Sequence, residues 1–214
     1  MYKETWALQP SDVTLIYVIY MVGVLCGLLF VGRLPDRTGF KPMMQLGLAL
    51  VFVGTLISAC AWNMSSLIVG RFIVGIASSM LTTSSSLGLT VLAKPAQMQR
   101  VATQISFLMA LGFGLGPLVG GILGQWAPYP LVSTYIPTIV LSLVALLVLK
   151  QLPLPAHAFP NPRAKLGFGD VLPKLVWPEK SSSYAFILTC ALPFLAFGVF
   201  GLYASMSPLF LDKL

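Results

Sequence analysis

An all-α integral membrane protein with about six transmembrane helices is the fold class that this sequence predicts. Apolar residues fill 57% of the 214 positions and charged residues only 9%, far from the balance of a soluble domain. The apolar residues lie in long uncharged blocks, Val13 to Gly32, Pro42 to Gly70, Phe72 to Ala93, Val101 to Leu149 and Ser181 to Leu211, rather than in amphipathic stripes. The basic residues gather in alternate gaps between those blocks.

A helix needs roughly 20 apolar residues to cross the hydrocarbon core. The run 101–149 is long enough for two crossings, with turn signals in GQWAPYP at its middle. The expected spans are therefore 12–32, 42–62, 66–93, 101–125, 131–150 and 184–210. Residues 151–183 hold six prolines and the only histidine, His157, a density that prevents a continuous helix. Within this linker, FGDVLPKLVW suits a short helix lying on a membrane surface. The three cysteines, Cys26, Cys60 and Cys190, fall in expected spans and offer neither a disulfide pattern nor metal-ligand spacing.

The net charge of +7 follows topology. One side of the membrane receives Arg33, Arg37, Lys41, Lys94, Arg100, Lys150, Arg163, Lys165, Lys174 and Lys180; the other receives Lys3 and Lys213. Such an excess places the basic loops in the cytoplasm and both termini of the chain outward. The charge thus implies no nucleic-acid partner. The amino-terminal residues have no basic leader followed by an apolar core, so no cleavable signal peptide is expected. A polar start facing outward is explained most simply by an earlier span.

Three constellations stand out. The first is GRLPDRTGFK, residues 32–41. On charge alone it reads as a solvated basic loop, with Pro35 and Gly39 shaping a tight hairpin and Asp36 set among Arg33, Arg37 and Lys41. The order Gly32-x-Leu34-Pro35-Asp36-Arg37-x-Gly39-x-Lys41 resembles the loop signature between the second and third helices of the major facilitator superfamily, with Phe40 where a basic residue is common.

The second is the span beginning IVGRFIVG. An arginine inside a membrane costs on the order of 2.5–3.5 kcal/mol at a helix centre and less nearer the edge. Arg71, Gly75, Ser78, Thr82 and Ser85 recur on one helical face, widened by Ser79, Thr83, Ser86 and Thr90. Small hydroxyl residues alone suit helix packing; together with the arginine they suit a cavity wall. The Arg71-x-x-x-Gly75 spacing is similar to the fourth-helix motif of the same superfamily.

The third is LGFGLGPLVGGILG. Gly112, Gly116, Gly120 and Gly124 repeat every four residues and leave a side-chain-free groove for another helix. Pro117 removes a backbone hydrogen bond and bends the helix. Gly112-x-x-x-Gly116-Pro117-x-x-Gly120-Gly121 resembles the fifth-helix signature that marks proton-driven antiporters of the superfamily, drug exporters above all.

Taken together, these motifs make the chain look like helices two to seven of a twelve-helix transporter, a partial major facilitator fold. Residues 1–11 would form an outer N-terminal segment. Residues 12–150 would form five transmembrane helices of the N-terminal bundle, its first helix missing, with 151–183 a cytoplasmic inter-bundle linker and 184–214 the first helix of the C-terminal bundle. Two departures stand beside the match: no W-R-W-type sequence precedes the sixth helix, and LTVLAKPAQMQR lacks the acidic residue common at the inner end of the fourth.

The resemblance implies proton-coupled efflux of small organic molecules by alternating access across a cell (plasma or bacterial inner) membrane. In that reading Asp36 latches the cytoplasmic side, Arg37 and Lys41 support it, Gly112 to Gly121 pack against the other half, and Arg71 serves coupling or the cavity. No acidic residue lies inside a span between Asp12 and Asp212, so a proton carrier would be Asp12 or a group on a missing helix. Lipid and a small-molecule substrate are the expected partners, with missing helices or a second chain needed for a complete transporter. No cofactor, metal or enzymatic activity is expected. Protease motifs and a channel filter do not appear in the sequence. A sugar or metabolite carrier and a transport-inactive fragment are the rival readings.

Overall fold

The computed structural model describes residues 10–153 and, farther along, residues 183, 184, 186–188, 191, 195, 198 and 199. The chain divides into two units, Met1–Pro173 and Lys174–Leu214. In the second, all the described positions are α-helical; they run from residue 183, the last of the expected linker, into the expected span 184–210. The expected linker and its surface helix lie almost wholly outside the described residues.

The first unit is all-helical among the described residues. In chain order it contains α1 (Pro10–Cys26), a π-helical turn Gly27–Val31, α2 (Leu34–Thr38), α3 (Phe40–Ala59) and α4 (Met64–Leu92). A short 3-10 turn Pro95–Gln97 leads to α5 (Met98–Trp126), α6 (Pro130–Ser133) and α7 (Ile136–Gln151). Among the described residues, five segments are long and apolar enough to cross a membrane: Thr14–Val31, Phe40–Ala59, Met64–Leu92, Met98–Trp126 and Pro130–Gln151. These coincide with the first five expected spans to within a few residues.

Local chemistry sets the ends of these helices. Asn63 caps α4: its Oδ1 accepts from the Ser66 N–H at 2.7 Å, and the Ser66 Oγ accepts from the Asn63 N–H at 3.3 Å, a reciprocal capping box that satisfies two donors. Helices α5 and α7 end at Ala127 and Leu152, both extended and both followed by proline, because proline disfavours helical geometry in the residue before it. The span expected over 131–150 is interrupted at Thr134 and Tyr135, with Pro137 opening α7 in its first turn. Cys60, expected inside a span, is instead the exposed residue that terminates α3.

Helix α4 is the centre of the bundle. It packs against α1 on one side and α3 on another, while α3 also packs against α7. The contacts are made by small residues. Gly23 of α1 and Gly27 of the π-helical turn face Gly75 and Ser79 of α4, and a side-chain carbon added at Gly75 would collide with the Tyr20 carbonyl and lie 3.0 Å from the Gly23 Cα. On the other side Gly54 and Ser58 of α3 face Gly70, and Gly47 faces Leu81. Inside a bilayer, lipid tails are as apolar as leucine, so helices associate through close backbone approach rather than through burial of apolar surface.

These registers make α1 and α4 parallel and α3 antiparallel to both. At one end of the bundle Phe40 is buried, 4% exposed, with its ring against Gly88. The loop 32–41 and the turn after α4 therefore share that end, together with the end of α7. The opposite end carries the hairpins holding Trp62, Trp126 and Tyr129, all strongly exposed, as interfacial aromatic side chains are. Leucine, valine and phenylalanine side chains exposed along α1, α5 and α7 match a surface covered by lipid or by further helices.

Gly75→Val forces α1 and α4 apart. The expected loss is about 1–3 kcal/mol, typical of overpacking, measured as an earlier thermal unfolding transition in detergent.

Candidate functional site

The loop stretch forms a structured corner. Pro35 is buried at the start of α2, and the Thr38 Oγ1 donates to the Leu34 carbonyl at 2.9 Å. Gly39 ends the helix with φ 91° and ψ 154°, a region open almost solely to glycine, and its N–H donates to the Pro35 carbonyl at 2.9 Å. The motif's second glycine is thus a backbone requirement. It turns the chain so that Phe40 enters the core beneath Gly88. The departure from the family pattern at position 40 has a packing reason, because a charged side chain there would be buried.

Asp36 and Arg37 are exposed on α2. Lys41, expected to support the Asp36 cluster, sends its Nζ to the carbonyl of Leu152, 3.0 Å away. Leu152 is the residue that closes α7. A cation at the negative end of a helix is favourable, and the bond occupies a carbonyl that has no partner within the helix. The loop motif is therefore tied to the last turn of α7.

Arg71 lies in the second turn of α4. Its Nη2 donates to the Tyr135 hydroxyl at 2.9 Å, and the guanidinium carbon sits 5.5 Å from the centre of the Tyr135 ring. The Arg71 Nε is buried and has no hydrogen-bond partner among the described residues. Tyr135 was invisible to sequence reasoning, since nothing in the pattern pairs position 71 with a residue 64 positions later. The only signal was its place beside Pro137 in a turn at the same end of the bundle.

The hydroxyl face of α4 separates into two parts. Gly75 is buried against α1 and Ser79 against the π-helical turn that follows it. Ser78, Thr82 and Ser85 are at least partly exposed, and their hydroxyls donate back to carbonyls of their own helix: Ser78 to Val74 at 2.8 Å, Thr82 to Ser78 at 2.9 Å and Ser85 to Thr82 at 3.3 Å. The Tyr20 hydroxyl of α1 reaches the Ser78 Oγ at 3.5 Å, joining α1 to this face.

Helix α5 has no buried residue. A side-chain carbon added at Gly112, Gly116, Gly120 or Gly121 would meet nothing within 4 Å, and Pro117 lies inside the continuous helix. The glycine groove is open among the described residues. Where α4 gives way to α5, Leu89, Val101, Gln104, Ile105, Phe107 and Leu108 line an apolar cleft of about 380 Å³. Among the described residues no three or more His, Cys, Asp or Glu side chains come together as a metal site would need.

Gly39→Ala places a side chain on a backbone conformation that resists it. The expected cost is about 1–3 kcal/mol, visible as faster hydrogen–deuterium exchange across residues 34–44 while the middle of α4 stays protected.

The whole chain, residues 1–214, matches the family model described as Major Facilitator Superfamily. It is 29% identical over 150 residues to a riboflavin transporter of Clostridioides difficile (strain 630), covering 69% of this chain and 32% of that protein. A triacylglyceride transporter of Mycobacteroides abscessus is 30% identical over 157 residues, 73% of this chain and 30% of its own length. A methylenomycin A resistance protein of Bacillus subtilis (strain 168) is 33% identical over 129 residues, 58% and 27% respectively. The chain spans about a third of the length of these curated relatives. With five membrane-length helices among the described residues and a family match along its entire length, the chain belongs to the Major Facilitator Superfamily.

Proposed function

We propose that this protein exports small organic molecules in exchange for protons, by rocking of two helical bundles about a central site. The observation that carries the reading is α5, a helix with Pro117 inside it whose glycine face, Gly112 to Gly121, is open among the described residues. Such a surface is shaped for close approach by another helix. The resistance protein among its relatives supports outward transport of a small toxic molecule. Asp36, exposed on the short helix α2, is the candidate latch. Arg71 and the face formed by Ser78, Thr82 and Ser85 are the candidate cavity wall.

In this reading residues 12–150 form most of an N-terminal bundle, 151–183 a linker between bundles, and 184–214 the first helix of a second bundle. The loop 32–41 faces the cytoplasm, in keeping with its basic residues and those near the ends of α4 and α7. A second reading, a carrier of a metabolite, is favoured by the riboflavin transporter among the relatives.

Transport assays on the protein as its gene encodes it separate the two. Export predicts energy-dependent loss of a fluorescent cationic dye from loaded cells, abolished by a protonophore and by Gly116→Leu. Uptake of labelled riboflavin with no effect on dye retention would favour the metabolite carrier. Sidedness has its own test. Cys60, exposed at the end of α3 away from the basic loops, should react with a membrane-impermeant maleimide added to intact cells; labelling only after permeabilisation would invert the proposed topology.

A further inference from the structure

Arg71 presents a problem of charge. It carries a cationic guanidinium in a membrane-spanning helix, and no acidic residue occurs inside a span between Asp12 and Asp212. Among the described residues, the group that the structure sets against it is a neutral one. The Tyr135 hydroxyl accepts from Nη2 at 2.9 Å, with the ring centre 5.5 Å from the guanidinium carbon. A hydrogen bond from an ionised donor is stronger than a neutral one, and an aromatic ring adds attraction for the cation. Neither interaction discharges the arginine.

Tyr135 is itself held firmly. It is the first flanking residue of α7; its N–H donates to the Val132 carbonyl at 3.0 Å and its carbonyl accepts from the Ile139 N–H at 3.1 Å. The contact joins α4 to the start of α7 across 64 residues of sequence. On the other side of the guanidinium, the buried Nε has no hydrogen-bond partner among the described residues. One edge of the arginine is thus fixed by tyrosine, and a buried donor on another edge is left for a different acceptor.

Resting on the transport reading above, we propose that Tyr135 is a positioning residue for Arg71: it fixes the guanidinium inside the membrane while leaving its positive charge unneutralised for the transport cycle. A carboxylate at the same place would hold the arginine equally well but would cancel the charge. Tyrosine separates the two tasks.

The test compares wild type, Tyr135→Phe, Arg71→Ala and the double variant, each in the protein as its gene encodes it, reconstituted in nanodiscs and proteoliposomes. Phenylalanine keeps the ring and removes only the acceptor. Modification by phenylglyoxal, followed at each arginine by mass spectrometry, should quicken at Arg71 in Tyr135→Phe by about tenfold, the equivalent of one charge-assisted hydrogen bond, with Arg33 and Arg37 unchanged. Turnover should fall by a similar factor with the melting temperature held, and the double variant should be no slower than Arg71→Ala, as expected of residues acting as a unit. The proposal is overturned if Arg71 reacts at the wild-type rate in Tyr135→Phe. It is equally overturned if the two transport losses multiply, or if Tyr135→Phe lowers the melting temperature without altering the reactivity of Arg71. Should wild type move neither dye nor riboflavin, the transport reading fails, and the rate at Arg71 still decides whether Tyr135 positions it.

Discussion

The close approach of α4 to its two neighbours is the constraint on which the rest of the structure depends. In water a helix pair is held by the apolar surface it buries, but in a bilayer the unassociated helix is already in an apolar solvent. What remains is contact between backbones, which requires side chains small enough to permit it. Helix α4 meets that requirement twice, with Gly75 and Ser79 against α1 and its π-helical continuation, and Gly70 against Gly54 and Ser58 of α3. Because these surfaces are nearly bare of side chains, the relative register of the three helices is set within a fraction of a turn. Phe40 and Gly88 then meet at one end as ring and recess.

Polar contacts at the two ends extend this arrangement to α7, which packs on α3. Lys41 holds its last turn and Arg71 holds the residue before its first. Both are long cationic side chains reaching groups with lone pairs. The two fasteners differ in what they attach to. Lys41 meets a backbone carbonyl that any residue could supply, whereas Arg71 meets a side chain that only certain residues could. The first leaves no trace in the sequence at its far end; the second does, but only once the fold has brought the partners together.

Much of the architecture was legible because membrane spans are written in runs of residues. The five described spans fall where uncharged blocks fall, since twenty apolar residues admit few other uses. Gly39 was legible as a turn residue, and its φ of 91° gives the reason. The role of Phe40 was not, because its recess is made by Gly88, forty-eight positions away by the sequence numbering. The polar face of α4 was read as one stripe, and the structure divides it: helical periodicity tells which residues share a side, not which of two neighbours occupies each part. Gly75 belongs to the packing seam, Ser78 to the margin beside Tyr20, and Thr82 to the exposed surface. Likewise the glycines of α5 could be recognised as a groove, while what fills a groove is written on the helix that fills it.

The back-bonded hydroxyls of α4 have a chemical consequence beyond helix geometry. Ser78, Thr82 and Ser85 have each committed their proton to a carbonyl of their own helix, so the oxygen that looks outward has only lone pairs to offer. To a passing solute that strip resembles an ether more than an alcohol. It can receive an ammonium, an amide N–H or the hydrogen of a hydroxyl, and has little with which to greet a carboxylate. At its end stands Arg71, whose chemistry is the reverse, all donors and no acceptor. A single helix face thus runs from a surface that accepts to a residue that only gives.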